Sequence, residues 1–287
     1  MAGSKHNTPS VALVGSGNLA HTLGPSLMEA GYRIDAVVSR SLSRSRKRAA
    51  LLAKRLSSKV IDLEDFQPSS GIIWICHTDD ALVETARALA KHGKWKGRIV
   101  LHSSGARTSD VLAPLRRAGA YTASLHPMMT FVPDTEPSME KVPFAVEGDR
   151  RAITASKKIV KDLKGHIFQI RKQAKVLYHV LGSFLSPMVV ATLVTGERVG
   201  KAAGLSPKHI AKLMTRILEQ TTYNYVRWGP ASAFSGPIKR GDVDTVRQHL
   251  RELKRLPEAG DVYRALARSA LMDLPAGNKE KLSKLVR

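Results

Sequence analysis

The segment that most restricts the fold lies near the start of the chain, where Ser10-Val-Ala-Leu-Val-Gly15-Ser16-Gly17-Asn18-Leu19-Ala20 passes from an apolar strand through a glycine turn into a helix. Gly15 permits the tight turn, Gly17 lets the backbone approach a ligand, and Ala20 still allows close helix packing. The helix that follows presents free amides and a positive dipole end to a phosphate. A second strand begins at Ile34, so the turn opens a βαβ unit. In that setting the glycines predict a dinucleotide site formed by Gly15, Ser16, Gly17, Asn18 and Leu19.

The end of the second strand selects the cofactor. NAD sites place a carboxylate there to hold the ribose hydroxyls. Here the strand ends in Val38-Ser39-Arg40-Ser41, and no acidic residue lies between Asp35 and Asp62. Arg40 would attract a 2′-phosphate, with hydrogen bonds from Ser39 and Ser41, because a guanidinium pairs with phosphate in a bidentate fork. NADP is therefore expected rather than NAD. The further basic run from Arg44 to Arg48 reads as the wet face of a helix.

Short β-rich runs alternate with helical stretches over the first 170 residues, the pattern of a mainly parallel sheet with helices on its faces. Strands are expected at Val11 to Val14, Ile34 to Val38, Ile72 to Cys76, Ile99 to His102, Thr122 to Leu125, Phe144 to Glu147 and His166 to Ile170, with a short one at Lys59 to Ile61. Beyond Arg171 the period becomes helical: Ile210, Leu213, Met214, Ile217, Leu218 and Thr221 share a face behind Ser206 as N-cap and Pro207 at the first helical position. The helix over about Lys172 to Ala203 is apolar nearly all round from Val176 to Val194, predicting the buried axis of a second, all-α domain, kinked at Pro187 and ended by Gly204. The expected organisation is a flexible 1–9, a dinucleotide-binding domain 10–171, a helical substrate and dimerisation domain 172–275, and a C-terminal tail 276–287.

Composition narrows the classes. At 287 residues with 43% apolar side chains the chain can bury two cores, which excludes a disordered protein. The apolar run from Leu181 to Val194 is interrupted by polar residues and is shorter than the roughly 20 residues of a bilayer span. The N-terminus has no apolar signal segment, so a soluble cytoplasmic protein is expected. The single cysteine, Cys76, excludes an internal disulfide, and no metal site is indicated. The net charge of +22 is spread over both halves, and aromatics are only 5%, which argues for a solvated basic surface and an anionic ligand rather than nucleic acid.

Ligands of an open parallel sheet sit beyond the carboxyl ends of its strands. Three segments occupy that position: His77-Thr78, His102-Ser103-Ser104-Gly105, and His126-Pro127-Met128. His77, Thr78 and Ser103 are expected beside the cofactor, and Ser104 and His126 beside the substrate. Lys175 and His179, four residues apart, share a helix face. Either could hold a carboxylate or protonate the atom formed as hydride arrives. A solvated lysine and a satisfied core histidine are the plainer readings of that pair. The segment Ser235-Gly236-Pro237-Ile238-Lys239-Arg240-Gly241-Asp242 suits a loop closing on an anion, with Arg240, Gly236 and Pro237 as substrate contacts; as a simple turn it would still leave Asp242 to cap the next helix.

Taken in order, Gly15-Ser-Gly17-Asn18, His102-Ser-Ser-Gly-Ala, Ser124-Leu-His126-Pro127, Phe144-Ala-Val-Glu-Gly148-Asp149, Lys175-Val-Leu-Tyr178-His179 and Gly236-Pro-Ile-Lys-Arg240-Gly-Asp242 resemble a bacterial family of Rossmann-like proteins with a C-terminal domain of unknown function. The resemblance covers about residues 10 to 270 and implies an NADP-dependent oxidoreductase without supplying a substrate. More distantly, the layout is similar to β-hydroxyacid dehydrogenases, pyrroline-carboxylate reductase and prephenate dehydrogenase, with a helical domain like that of 6-phosphogluconate dehydrogenases. In the hydroxyacid enzymes a serine after a strand and a Lys-x-x-x-Asn pair bind and protonate substrate. Ser104 and Lys175 match, and His179 stands where the Asn would be. His126-Pro127-Met128 resembles the His-Pro-Met of prephenate dehydrogenases, although Thr130-Phe131 follows it. The resulting expectation is hydride transfer to or from a small carboxylated ketone, alcohol or imine bound between two domains of a homodimer. The alternative is a non-catalytic NADP-binding sensor or partner-binding protein. Reaction direction, and whether a deazaflavin is the second redox partner, stay open.

Overall fold

A computed structural model describes residues 10–41, 43–133, 135 and 137–287. The expected flexible segment 1–9 lies outside them. The chain forms two compact units, one up to Ser183 and one over Phe184–Arg287.

The first unit is built on one eight-stranded sheet. Its strands are β1 (Val11–Val14), β2 (Ile34–Ser39), β3 (Lys59–Asp62), β4 (Ile72–Ile75), β5 (Ile99–His102), β6 (Tyr121–Pro127), β7 (Pro143–Gly148) and β8 (His166–Gln169). All the expected strands are present, the short third one included. They lie in the order β3-β2-β1-β4-β5-β6-β7-β8, parallel except where β6 meets β7. Strand order reverses at β1, which pairs with both β2 and β4. This places a crevice beyond the carboxyl end of β1, at the glycine turn.

Successive residues of the inner strands feed opposite faces, as the two-residue period requires. Val11 and Leu13 pack with α1 (Asn18–Glu29), α2 (Ser43–Arg55) and, further along the sheet, α5 (Arg150–Asp162). Ala12 and Val14 belong to the other face, covered by α3 (Asp79–Ala90) and α4 (Ala113–Arg117). Burial on both sides explains why β1 and β4 are continuous apolar runs rather than alternating ones.

The predicted long helix is divided. A 3₁₀ turn over Lys172–Ala174 leads into α6 (Lys175–Leu185), and Ser186, at φ −130° and ψ −81°, separates it from α7 (Pro187–Ala202). Proline has no amide to continue the ladder and its ring crowds the preceding turn, so the expected kink is a full break. The expectation of a buried axis is also overturned. Val176, Leu177, Phe184 and Leu185 are each more than 60% exposed, and the second unit builds its core elsewhere. That core joins Val246 and Leu250 of α11 (Val243–Glu252), Ala267 and Leu271 of α12 (Pro257–Asp273), and Leu282 of α13 (Lys279–Leu285). Within the expected tail, 276–287, residues Lys279–Leu285 therefore form a helix packed on this core. Although broken at Ser186, the stretch Lys172–Ala202 is long and apolar enough to cross a membrane by length and composition, since an 18-residue window within it has a mean hydropathy of 1.6 despite its serines and threonines.

The remaining helices are α8 (Pro207–Trp228), α9 (Pro230–Ala233) and α10 (Pro237–Arg240). Ser206 caps α8 by accepting from the His209 amide, as its position before Pro207 predicts. Of the expected α8 face only Ile210 is buried, and Leu213 and Ile217 are exposed.

Candidate active site

Two clusters of polar groups occupy the carboxyl end of the sheet in the first unit. The first surrounds the glycine turn. Gly15 adopts φ +106°, and a Cβ there would lie 2.4 Å from the His77 ring and 3.0 Å from the Cys76 carbonyl. Any side chain would therefore meet both strain and a clash. A cavity of about 510 Å³ opens beside this turn, lined by Gly15, Ser16 and Gly17, by Ser39 and Arg40 after β2, and by His77 and Thr78 after β4. Ala20 is fully buried against the sheet. Leu19 packs against the core, which leaves its backbone amide as the group it can offer a ligand.

Three details depart from expectation. Arg44 and Arg48, expected on a wet helix face, line the cavity, because residues four apart share the side of α2 turned to the glycine turn. Arg48 donates to the Ser16 carbonyl at 3.0 Å and to Asn18 Oδ1 at 2.9 Å, fixing the turn from outside. Asn18 is thereby a brace, since its amide also donates to the Phe131 carbonyl at 3.0 Å. Ser41 is exposed and does not line the cavity, and the Ser39 hydroxyl donates to the Arg40 carbonyl. Arg46, by contrast, pairs with Asp62 on the other side of α2. Arg40 and Arg44 make no ion pair among the described residues, so two guanidinium groups face the cavity uncompensated. His77 is held at Nδ1 by the Thr85 hydroxyl at 2.6 Å, and burial pushes its pKa down to about 4, so the ring is neutral near pH 7. This donor set fits the phosphates of a dinucleotide: a cradle that excludes Cβ, a helix N-terminus, and free cations.

The second cluster gathers Ser104, His126, Lys175 and His179, all four expected at a reacting centre. Lys175 opens α6 and is fully buried, with Nζ donating to Ser124 Oγ at 2.7 Å. The solvated reading of Lys175 is excluded. Burial lowers its pKa to about 8, against the raising effect of Glu147 and Asp79. Ser124 in turn donates to the Ser104 carbonyl at 3.3 Å, and Ser104 Oγ accepts from the Arg107 amide at 2.8 Å. His126 Nδ1 shares a hydrogen bond of 2.9 Å with the Tyr178 hydroxyl, and burial first, then Lys175, pushes its pKa down to about 3.

His179 is exposed, which overturns the core-histidine reading; its ring centroid lies 6.2 Å from that of His126. Both rings reach the backbone at Gly105, where a Cβ would sit 2.4 Å from His179 Cδ2 and 2.9 Å from His126 Nε2. Ser103 is turned away, accepting from the Trp74 indole at 2.7 Å. His102 is structural: its Nδ1 accepts from the Ser104 amide and its Nε2 bonds the Thr108 carbonyl. Sequence reasoning missed Ser124 and Tyr178. A serine between apolar neighbours in a buried strand was the available signal for the first.

In the second unit, the segment read as a closing loop is a fixed helical turn. Pro237–Arg240 is α10, Gly277 donates to the Lys239 carbonyl at 3.0 Å, and Asn278 donates to the Gly241 carbonyl at 2.7 Å. Asp242 caps α11 through the Thr245 amide and hydroxyl, and those hydrogen bonds hold its carboxyl below the usual range. Gly236, at φ +91°, and Pro237 start the turn, and Arg240 is exposed at its end.

Comparisons with known proteins agree with this architecture. Among solved structures, a Bacteroides fragilis protein described as a candidate NADP oxidoreductase superposes with a TM-score of 0.76 at 22% identity, covering 92% of this chain and 98% of its own. A Thermotoga maritima protein gives 0.72 at 22% identity, covering 96% and 100%. An imine reductase from Myxococcus stipitatus in complex with NADP+ gives 0.64 at 14% identity, covering 97% and 100%. No curated protein matches the sequence. Residues 2–127 match the family described as a Rossmann-like domain, and residues 142–270 match a domain of unknown function, DUF2520. The chain is thus a Rossmann-like domain followed by a DUF2520 domain, on the fold shared by these solved structures.

Proposed function

We propose that the protein is an NADP(H)-dependent oxidoreductase acting on a small carboxylated ketone, alcohol or imine. The observation that carries this reading is Lys175, a buried ammonium held on Ser124 beside a neutral His126, in the same unit as a phosphate-suited cavity at the glycine turn. Bound NADP(H) would supply the hydride. Gly15, Gly17 and the start of α1 would hold the pyrophosphate, and Arg40 and Arg44 the 2′-phosphate. In the reducing direction the substrate carbon gains the hydride, and its oxygen or nitrogen gains a proton from Lys175 Nζ, leaving a neutral amine. His126 and His179 would offer hydrogen bonds at Gly105. Similar folds in complex with NADP+, and with NADPH and ethyl-5-oxohexanoate, support this class of chemistry.

The test is a fluorescence titration with NADPH and NADH, followed by a screen of keto acids and imines at the nicotinamide absorbance band. NADPH is expected to bind more tightly, and Arg40→Asp to narrow the gap by about 2 kcal/mol through loss of a phosphate-paired guanidinium. Equal affinities in the wild type would overturn the reading of the strand end. A protein that binds NADPH tightly and turns over none of these substrates would favour the sensor alternative.

We further infer that a second copy covers the apolar surface of α6, α7 and α8. Lys172–Ala202 is a poor bilayer span in this fold, because Lys175 within it is buried on the sheet and α7 carries Glu197, Arg198 and Lys201.

A further inference from the structure

Among the described residues only two of the Asp, Glu, Lys and Arg side chains are buried, and they carry opposite charge: Lys175 at 0% exposure and Glu147 at 2%. The topology places them side by side. Glu147 on β7 is the register partner of Ser124 on β6, and partners across an antiparallel pair project from the same face. Ser124 is also the residue on which Lys175 Nζ rests, at 2.7 Å. Glu147 makes no direct ion pair with the ammonium among the described residues. Its carboxylate is held by Ser109, whose amide donates to Oε1 at 2.6 Å and whose hydroxyl donates to Oε2 at 2.8 Å.

The separation matters. An ammonium buried alone sheds its proton, whereas one in direct contact with a carboxylate holds it too firmly to give it up. A carboxylate one side chain away, fixed by two donors, compensates the charge without competing for the proton. We propose that Glu147 is a positioning residue for Lys175, a buried counter-ion that acts across the β6–β7 pair to keep the ammonium seated on Ser124 and protonated. The inference rests on the reading of Lys175 as proton donor, and its first test does not require that reading. The other groups facing Lys175 are Asp79 at the start of α3, His102 from β5 and His126 from β6, with His179 on its own helix. Both His102 and His126 are held neutral near pH 7 by burial, at about 3. Glu147 is thus the only buried anion of the set.

The experiment is a pH titration of the Lys175 ¹³Cε resonance in protein labelled at lysine, assigned by its loss in Lys175→Met. Glu147→Gln, which keeps shape and one acceptor, should lower the Lys175 midpoint by about one unit or more. Glu147→Asp should restore most of it. Asp79→Asn should move it less, because that side chain is half-buried. An unchanged midpoint in folded Glu147→Gln overturns the proposal. If Glu147→Gln does not fold, Glu147→Gln/Lys175→Met decides the matter. A recovered cooperative melt supports the counter-ion, since removing both charges removes the unpaired one, and an equally unfolded double variant shows that Glu147 serves only Ser109 and overturns it. Once a substrate is known, Glu147→Gln should shift the basic limb of the turnover profile down with the midpoint. A shifted midpoint with an unmoved limb would keep the counter-ion and overturn Lys175 as the acid.

Discussion

A methyl group on Gly105 would collide with both imidazoles of the second cluster, at 2.4 Å from His179 and 2.9 Å from His126. Gly105→Ala should therefore displace those rings while leaving the glycine turn at β1 intact. Turnover should drop by about 10²-fold, the usual cost of misplacing a reacting group by an ångström, with NADPH affinity unchanged. A parallel loss of NADPH affinity in the fluorescence titration would show that the two clusters are not independent. Lys175 makes a separate statement about pH. A lysine donates only while protonated, and its pKa is lowered to about 8, so reduction should be sustained below that pH and fall above it. Lys175→Met should lower turnover by about 10²-fold or more and abolish the basic limb; retention of both would overturn Lys175 as the acid. These side chains were legible in the sequence to unequal degrees. Ser104 could be found because it follows a strand, His126 because it lies at the end of one, and Lys175 because a cation opens an apolar helix. Ser124 left only the weak signal of a serine in a buried strand, and Tyr178 and Glu147 left none, since their roles depend on which helix and strand lie beside β6 and the antiparallel β6–β7 register has no local signature.

Elements followed their local chemistry closely. The strands formed where short apolar runs end in turn residues, and α8 began at Ser206-Pro207 as cap and first-turn preferences require. Ser206→Ala should leave the His209 amide without its acceptor and cost about 1 kcal/mol. Calorimetry should register this as a melting temperature lower by about 2–4 °C; no change would mean that the end of α8 frays at no cost to the fold. Where reading by element failed, the cause was tertiary. An apolar helix reads as buried whether its cover comes from its own chain or from elsewhere, and periodicity carries no information on the supplier. The turn at Gly236 likewise reads as mobile from composition, yet residues some forty positions away, Gly277 and Asn278, tie it down.

For the whole molecule, α6, α7 and α8 each carry exposed large apolar residues, among them Leu213, Ile217 and Trp228 of α8. On the proposal that a second copy covers them, these residues would lie in an interface. Sedimentation at micromolar concentration should find a dimer, and Leu213→Glu/Ile217→Glu should yield a folded monomer with its circular dichroism preserved. A wild-type monomer would overturn the second copy as the cover. By itself the sequence determined the sheet, the glycine turn and the basic strand end. Each is written in contiguous residues whose backbone preferences and polarity act over a few positions. Only the tertiary structure decided that Arg44 and Arg48 face the cavity, that Lys175 is buried on Ser124, and that Glu147 is its neighbour. Those outcomes depend on strands and helices far apart in sequence being packed at fixed register, and burial, which sets the charge state of Lys175, exists only once they are.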